Sequence, residues 1–298
     1  TKDPIIFPME LSCAVQHYEW GKAGSNSIVA VLRQSADPIF LIDEDKPYAE
    51  LWMGTHVNGP SIVSLDNVLL SDWIAKNPGS LGKKLTATFG QQLPFLFKIL
   101  SINKALSIQD HAKELNQKFP HLYKDANHKP ELAIALTKFE ALCGFRSVSD
   151  LKKHLQIIGD SLVSKFLESD EENVQNQLKQ CFKALMTAEE SLVESQLLSL
   201  ISRLECSGNK TEYHLDLLKR IHGQFPGDVG CFGIYLFNYI DLAPGEAIYL
   251  GANEIHSYIS GGTTVYSNTS IFLPPVPDFA VAVIKVGFIK SSTETQSI

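Results

Sequence analysis

Three short stretches of the chain combine amide, imidazole and carboxylate side chains at spacings that could hold a metal ion or move a proton. The first is the segment SIQDH, which runs from Ser107 to His111. Residues two apart on a β-strand share a face, so the Gln109 amide oxygen and the His111 imidazole would point into the same space. Two such groups make half of a metal site. The spacing is common, and taken alone it is better explained by two surface side chains.

The second stretch, NHKPE, ends at Glu131, where an apolar run begins. Pro130 fixes the turn before that run. The Glu131 carboxylate is then either a surface residue at the start of the run or a ligand that points inward. His128 and Lys129 could serve as an acid/base pair, although a solvated loop is the better explanation of these two residues in isolation.

The third stretch, PGEAIYLGANEIHSY, ends at Tyr258. Its Pro-Gly pair predicts a turn, and the apolar residues that follow predict a strand over Ala247–Leu250. A bend at GAN would then present His256, and Tyr258 would share its face if a strand continues to the closing pair Gly261-Gly262. On its own, His256 is better explained as a structural histidine than as a ligand.

The elements that would position these stretches begin with a mixed zone. Residues 1–148 contain short apolar segments broken by Gly, Pro, Asn and Asp, and we expect the first part of a β-rich domain there. The segment PFLFKIL from Pro94 to Leu100 predicts a buried strand. Lys113–Phe119 predicts a short helix that Pro120 limits.

The residue pattern changes twice in the rest of the chain. Residues 149–224 lack proline and carry apolar side chains at helical spacing, which predicts several amphipathic helices, the first of them capped by Ser149. Residues 225–298 return to strand character, with a predicted strand over Cys231–Ile240. The sequence therefore predicts a β-rich domain, formed by the first and third zones, that a helical insertion interrupts.

Composition limits the class of protein. Of the 298 residues, 44% are hydrophobic, and the formal net charge is −7. This fits a globular chain and argues against one that binds nucleic acid over its whole surface. We expect neither a membrane span nor a secretory signal. The five cysteines are scattered and never in CxxC spacing, as expected for reduced thiols in a cytoplasmic protein.

Together and in this order, the stretches resemble the type I mannose-6-phosphate isomerases, also called phosphomannose isomerases. Each matching segment alone is modest, but the ordered set is highly specific and extends over roughly residues 10–262. The matching segments are AVQHYEWGK from Ala14, GSNS from Gly24, KPYAELWMGTH from Lys46, LPFLFKIL from Leu93, SIQDH from Ser107, DANHKPE from Asp125, LCGFR from Leu142, GDVGCF from Gly227 and PGEAIYLGANEIHSY from Pro244.

The resemblance implies a mixed α and β fold, in which a cupin-type, jelly-roll-like β-barrel catalytic domain carries an inserted α-helical domain. Residues 225–298 would return to the catalytic domain and hold a remnant of a C-terminal β-domain. The resemblance also implies one zinc ion per chain, with Gln109, His111, Glu131 and His256 as ligands. A set with one anionic ligand leaves zinc a good Lewis acid. Because three ligands precede the helical zone and one follows it, the first and third zones must pack together.

The same resemblance implies an isomerase that interconverts mannose 6-phosphate and fructose 6-phosphate by zinc-assisted proton transfer through an enediol. Lys129 or His128 would take part in the proton transfer, whereas His56 and His121 are expected to be structural or surface residues. The substrate-binding residues that the resemblance implies are Trp20, Glu50, Lys98, Ser107 and Tyr258. We expect a monomer whose partner is a small sugar phosphate, with no nucleic acid and no membrane.

The chain departs from the family pattern in two places. Ala112 stands where a proline usually follows the histidine of the QxH segment. Near the C-terminus, SNT from Ser267 resembles a remnant of a family segment that carries an active-site arginine, and no arginine follows Arg220. Three explanations would account for the C-terminal departure. The chain is a truncated variant with weak activity, a relative that binds zinc and a sugar phosphate without catalysis, or a sequence from which a mobile segment is omitted. A purely structural zinc cupin is a weaker rival.

Overall fold

The computed structural model describes residues 9–91, 93–109, 130–158, 163, 167, 174–251 and 254–268. Strands dominate the first and last parts of this range, and helices dominate the middle. The predicted helix over Lys113–Phe119 lies outside the described residues, as do His111, His121, His128 and Lys129.

The middle of the chain is helical because its apolar side chains recur every three or four residues. Val193, Leu197, Leu200 and Leu204 form one buried stripe of this kind. The helices of the described residues are α1 (Ile28–Ala36), α2 (Leu70–Lys76), α3 (Gly82–Phe89), α4 (Val148–Ile158), α5 (Val174–Met186), α6 (Glu190–Cys206), α7 (Leu215–Gln224) and α8 (Gly233–Leu236). None of them combines the length and the apolar composition that crossing a bilayer requires.

Two local predictions are wrong. The cap of α4 is Ser147 rather than Ser149, because the hydroxyl of the residue just before the helix reaches the backbone N–H of Asp150, at 3.2 Å. The predicted strand over Cys231–Ile240 begins only at Phe237. Its first half forms a 3-10 helix and α8, since an apolar run that is buried on all sides has no periodicity to distinguish helix from strand.

The strands pair antiparallel in one large sheet and two small ones. The main order is β11-β10-β13-β8-β5-β2, and β9 lies between β12 and β13. The strands are β1 (Leu11–Ser12), β2 (Ala14–Gln16), β3 (Lys22–Ala23), β4 (Pro47–Tyr48), β5 (Glu50–Met53), β6 (Ile62–Val63), β7 (Val68–Leu69), β8 (Phe95–Ile102), β9 (Glu131–Ala135), β10 (Phe139–Phe145), β11 (Phe237–Leu242), β12 (Ala247–Leu250) and β13 (His256–Asn268). The predicted strands at Pro94–Leu100 and Ala247–Leu250 are confirmed as β8 and β12.

Strand β13 is the centre of the sheet. Its first residues pair with β10, and its later residues pair with β8 and β9. The strand passes through Gly261, which was expected to end it and instead adopts a φ of +108°. Because β13 and β11 follow the helical zone while β8 and β10 precede it, the predicted packing of the first zone against the third is confirmed.

Alternate residues of β13 face two different cores. Tyr258 packs with Phe139, Ala133 and other side chains of the sheet's inner face. Ile259 packs with the helical zone, in the same core as Leu197. This alternation is the period-two pattern of a strand buried on both faces, and it places His256 and Tyr258 together on the inner face.

Candidate functional site

Gln109 and His256 lie opposite each other in a short antiparallel bridge. The Gln109 backbone N–H donates to the His256 carbonyl at 2.8 Å, and the His256 N–H donates to the Gln109 carbonyl at 3.1 Å. Residues paired in this way present their side chains on the same face of the sheet. The pairing therefore brings the Gln109 amide and the His256 imidazole together, although a long stretch of chain separates them in sequence.

Glu131 is the first residue of β9, where it pairs with Ser267 of β13 and Leu250 of β12. It is only 5% exposed, and His256 is 3% exposed. The Glu131 Oε2 atom lies 3.6 Å from the His256 Nε2 atom. Of the two alternatives that the sequence leaves for Glu131, the structure therefore shows the inward-pointing carboxylate.

The imidazole ring of His256 is oriented by a backbone carbonyl group. Its Nδ1 atom lies 2.7 Å from the backbone carbonyl oxygen of Glu254, so the ring presents Nε2 towards Glu131. A hydrogen bond from one ring nitrogen to a carbonyl fixes the tautomer and leaves the other nitrogen as an electron-pair donor.

Tyr258 holds the carboxylate in place. Its phenolic O–H donates to Glu131 Oε2 at 2.6 Å, and its ring centroid lies 5.4 Å from that of His256. Burial, followed by the neighbouring Glu131 charge, raises the pKa of Tyr258 well above its usual value. The hydroxyl therefore stays protonated and remains a donor across the physiological range.

These side chains line one cavity of about 80 Å³. The predicted site residues that meet there are Glu50, Lys98, Ser107, Gln109, Glu131, His256 and Tyr258. Trp20 lies instead in the wall of a neighbouring cavity of about 580 Å³, which shares Ser107 and Gln109 with the first. Seven of the eight predicted site residues within the described part of the chain therefore surround a single space.

The donors in this space are of the kinds that bind a transition-metal ion. Glu131 supplies a carboxylate, His256 an imidazole nitrogen and Gln109 an amide oxygen. No three His, Cys, Asp or Glu side chains form a metal-sized group on their own among the described residues. Among the described residues, the Gln109 amide oxygen is therefore the third donor beside Glu131 and His256. His111, the fourth predicted ligand, falls in the range 110–129 that the structure does not describe.

The cationic side of the cavity comes from Lys98. Its Nζ atom lies 3.2 Å from Glu50 Oε2 and 4.6 Å from the centroid of the Trp52 ring. The Trp52 indole N–H donates to the same Glu50 oxygen. Trp52 was missed in the sequence, although its spacing of two from Glu50 on a strand was a signal that the two side chains share a face.

The cysteines have no part in this site. All five are free, as the sequence predicts, and none of them lines the smaller cavity. Burial, with a smaller contribution from the Glu254 charge, raises the pKa of Cys143 to about 12. That thiol is therefore protonated at neutral pH and is a poor nucleophile.

Comparison with known proteins matches two parts of the chain to domains of one family. Residues 8–148 match the catalytic domain of type I phosphomannose isomerase, and residues 154–237 match the helical insertion domain of the same family. Among curated relatives, the mannose-6-phosphate isomerases of Mus musculus and Homo sapiens are each 47% identical over 281 residues, covering 87% of this chain and 66% of the relative. The chain thus spans about two thirds of the length of these relatives.

Solved structures agree with the sequence comparison. The apo mannose 6-phosphate isomerase of Salmonella typhimurium is 32% identical, with a TM-score of 0.74, and the match covers 88% of this chain and 68% of that one. The same enzyme bound to its substrate and a zinc atom is 31% identical with a TM-score of 0.73 over the same shares. The mixed fold, the cupin-like sheet and the helical insertion are those of this group, and the chain belongs to the type I phosphomannose isomerase family.

Proposed function

We propose that this chain is a zinc-dependent aldose–ketose isomerase that interconverts mannose 6-phosphate and fructose 6-phosphate. The observation that carries the proposal is the convergence of Gln109, Glu131 and His256 with Lys98 around one cavity. The family to which the chain belongs, and the Salmonella typhimurium enzyme bound to its substrate and zinc, support both the reaction and the metal.

The residues present fit a zinc ion. Imidazole nitrogen and carboxylate oxygen are among zinc's preferred donors, and both groups here are buried. The His256 ring donates a hydrogen bond to the Glu254 carbonyl, and the Glu131 carboxylate accepts one from the Tyr258 hydroxyl. Such second contacts are typical of metal-binding histidines and carboxylates. We assign Gln109, His111, Glu131 and His256 as the ligands, with one zinc ion per chain.

The other side chains have separate tasks in the proposed reaction. Bound zinc supplies a Lewis acid that stabilises negative charge developing on the sugar oxygens. Lys98 and Ser107 hold anionic oxygen of the substrate, and Glu50 accepts hydrogen bonds within the same pocket. Lys129 or His128 moves the proton between C2 and C1 of the opened sugar.

A coupled assay of isomerisation on mannose 6-phosphate tests the proposal. We expect turnover from the zinc-loaded chain, loss of turnover after treatment with a chelator, and recovery on adding zinc. Glu131→Ala is expected to lose bound metal and turnover together, while Glu205→Ala, which changes a surface carboxylate, keeps both.

Two results would contradict the proposal. A Glu131→Ala variant that kept zinc and activity would overturn the ligand assignment. A chain that bound one zinc ion and a sugar phosphate but did not turn over would instead be a non-catalytic binding protein.

A further inference from the structure

Trp52 lies directly beside the cavity that the proposed reaction uses. On β5 it faces the same side as Glu50, and in the register with β8 it is paired with Lys98. Val265 of β13 pairs with Lys98 from the other side and lines the cavity. The indole is therefore the cross-strand neighbour of the lysine that supplies positive charge to the pocket.

The indole contacts both members of the Lys98–Glu50 ion pair. Its N–H donates to Glu50 Oε2, the oxygen that also faces the Lys98 ammonium. Its ring face lies under the same ammonium, with Nζ 4.6 Å from the ring centroid, which is within the range of a cation–π interaction. One rigid side chain thus restrains the positions of a carboxylate and a cation, two groups whose own side chains are flexible.

The indole itself has little freedom to move. It is buried, and the His56 ring packs edge-on against it with centroids 5.0 Å apart. A Cβ added to Gly59 would lie 2.9 Å from Trp52 Cε3, so the loop after β5 also packs closely against the ring. This close packing restricts the Trp52 side chain to one orientation.

We propose that Trp52 is a positioning residue for sugar-phosphate binding, which acts through Glu50 and Lys98. It fixes the Glu50 carboxylate by hydrogen bonding and the Lys98 ammonium by its ring face, so that the cation is held ready for an anionic or hydroxyl oxygen of the substrate. The inference rests on the proposed function, because it takes Lys98 and Glu50 as substrate-binding groups. Preorganised contacts of this kind strengthen binding because less side-chain freedom is lost when the ligand arrives.

Trp52→Phe tests the inference, since phenylalanine keeps an apolar ring but removes the N–H donor and weakens the cation–π contact. We expect the KM for mannose 6-phosphate to rise about tenfold while kcat changes by less than about twofold, because the lost contacts act in the ground state and the transition state alike. Trp73→Phe, on α2 in a separate apolar cluster, is the matched control and is expected to leave both constants unchanged.

A double-mutant cycle separates positioning from a general loss of folding. If Trp52 acts through Lys98, adding Trp52→Phe to Lys98→Met raises KM by less than about twofold beyond the single Lys98→Met change, since coupled groups are not additive. The inference would be overturned if the effects of the two substitutions on KM were fully additive, or if Trp52→Phe left KM unchanged. It would also be overturned if Trp52→Phe lowered only kcat, in proportion to a smaller folded fraction.

A measurement that does not depend on enzymatic activity tests this inference separately from the proposed function. Trace acetylation with acetic anhydride, followed by mass spectrometry, reports how accessible the Lys98 amine is. We expect Lys98 to be acetylated several-fold faster in Trp52→Phe than in the native chain or in Trp73→Phe, and an equal rate would contradict the positioning role. If the native chain turned over no sugar phosphate but Lys98 showed this change, the proposed function would fail while the structural role of Trp52 stood.

Discussion

At the scale of single residues, the site depends on side chains that orient the proposed ligands as much as on the ligands themselves. The Tyr258 hydroxyl donates to one Glu131 oxygen at 2.6 Å, and the Glu254 carbonyl accepts from the His256 ring. A buried carboxylate that accepts a hydrogen bond from a fixed donor is held in a defined orientation. We therefore assign Tyr258, first expected to bind substrate, the additional task of aiming Glu131.

Tyr258→Phe is predicted to weaken zinc binding, because it removes the donor that orients Glu131 while leaving the ring in place. Removing a hydrogen-bond donor to a metal-binding residue typically lowers metal affinity by about 10- to 100-fold. Competition for zinc with a fluorescent chelator measures the change. Tyr239→Phe is the matched control, since its hydroxyl also donates to a glutamate, Glu140, away from the cavity. Equal zinc affinity in the native chain and Tyr258→Phe would refute the orienting role.

At the scale of elements, β13 joins both halves of the sheet and has to bend as it does so. The bend is at Gly261, whose φ of +108° lies where residues with a side chain are strained. A Cβ at this position would also lie 2.8 Å from the Phe139 Cα atom. Glycine is thus required both by the backbone angle and by the close approach of the neighbouring strand.

Gly261→Ala is predicted to destabilise the folded chain by more than about 1 kcal/mol, because alanine can neither adopt this backbone angle without strain nor avoid the neighbouring strand. The midpoint of urea denaturation measures the effect. Gly79→Ala is the control, as an added Cβ there meets no atom within 4 Å and its backbone angle is ordinary. Similar midpoints for the two variants would show that the bend is not under constraint.

The same elements show how far the sequence could be interpreted. Strands with clear boundaries, such as Ala247–Leu250, were predictable from turn residues and apolar runs, and the order of the family segments indicated the proposed ligands. The continuation of β13 through Gly261 was not predictable, because glycine marks both strand ends and bends. The helical start of the segment after Asp228 was missed for a related reason, since its side chains are buried on every side. Trp52 was missed because its partner Lys98 is close only through strand register.

At the scale of the whole molecule, a buried carboxylate links the sheet to the helical insertion. Glu140 of β10 accepts hydrogen bonds from Arg220 of α7 at 2.7 Å, from Tyr239 of β11 at 2.5 Å and from Ser260 of β13. Burial alone would raise the pKa of Glu140, but these hydrogen bonds and the Arg220 charge together lower it below its ordinary value. The charged form is therefore favoured by folding.

Acid is predicted to weaken this link. Because the pKa of Glu140 is lower in the folded state, the stability that it contributes is fully present above the pKa of the unfolded chain. That stability is lost as the pH falls through the pKa of the folded chain. Glu140→Gln should cost about 1–2 kcal/mol near neutral pH, a modest figure because the Arg220 side chain is 42% exposed. The same variant should lose less further stability in acid than the native chain does.

Thermal unfolding measured from pH 7 down to pH 3 tests this prediction. The control is Glu205→Gln, since Glu205 pairs with Lys219 at the surface and is expected to leave the acid dependence almost unchanged. If the native chain and Glu140→Gln lost stability in parallel as the pH fell, the acid response would have to come from other carboxylates.

The separation of Glu131 from Tyr258, 127 residues along the chain, has a consequence for how the protein matures. A nascent chain that has left the ribosome as far as α6 already contains Gln109 and Glu131, but it lacks the strand that carries His256. On the proposed ligand assignment, the set of donors is complete only after the helical insertion has been synthesised and β13 has paired with β8, β9 and β10. Metal uptake would then be a late event in biogenesis, and an ion that binds the finished fold more tightly than the nascent chain would stabilise the completed strand pairing.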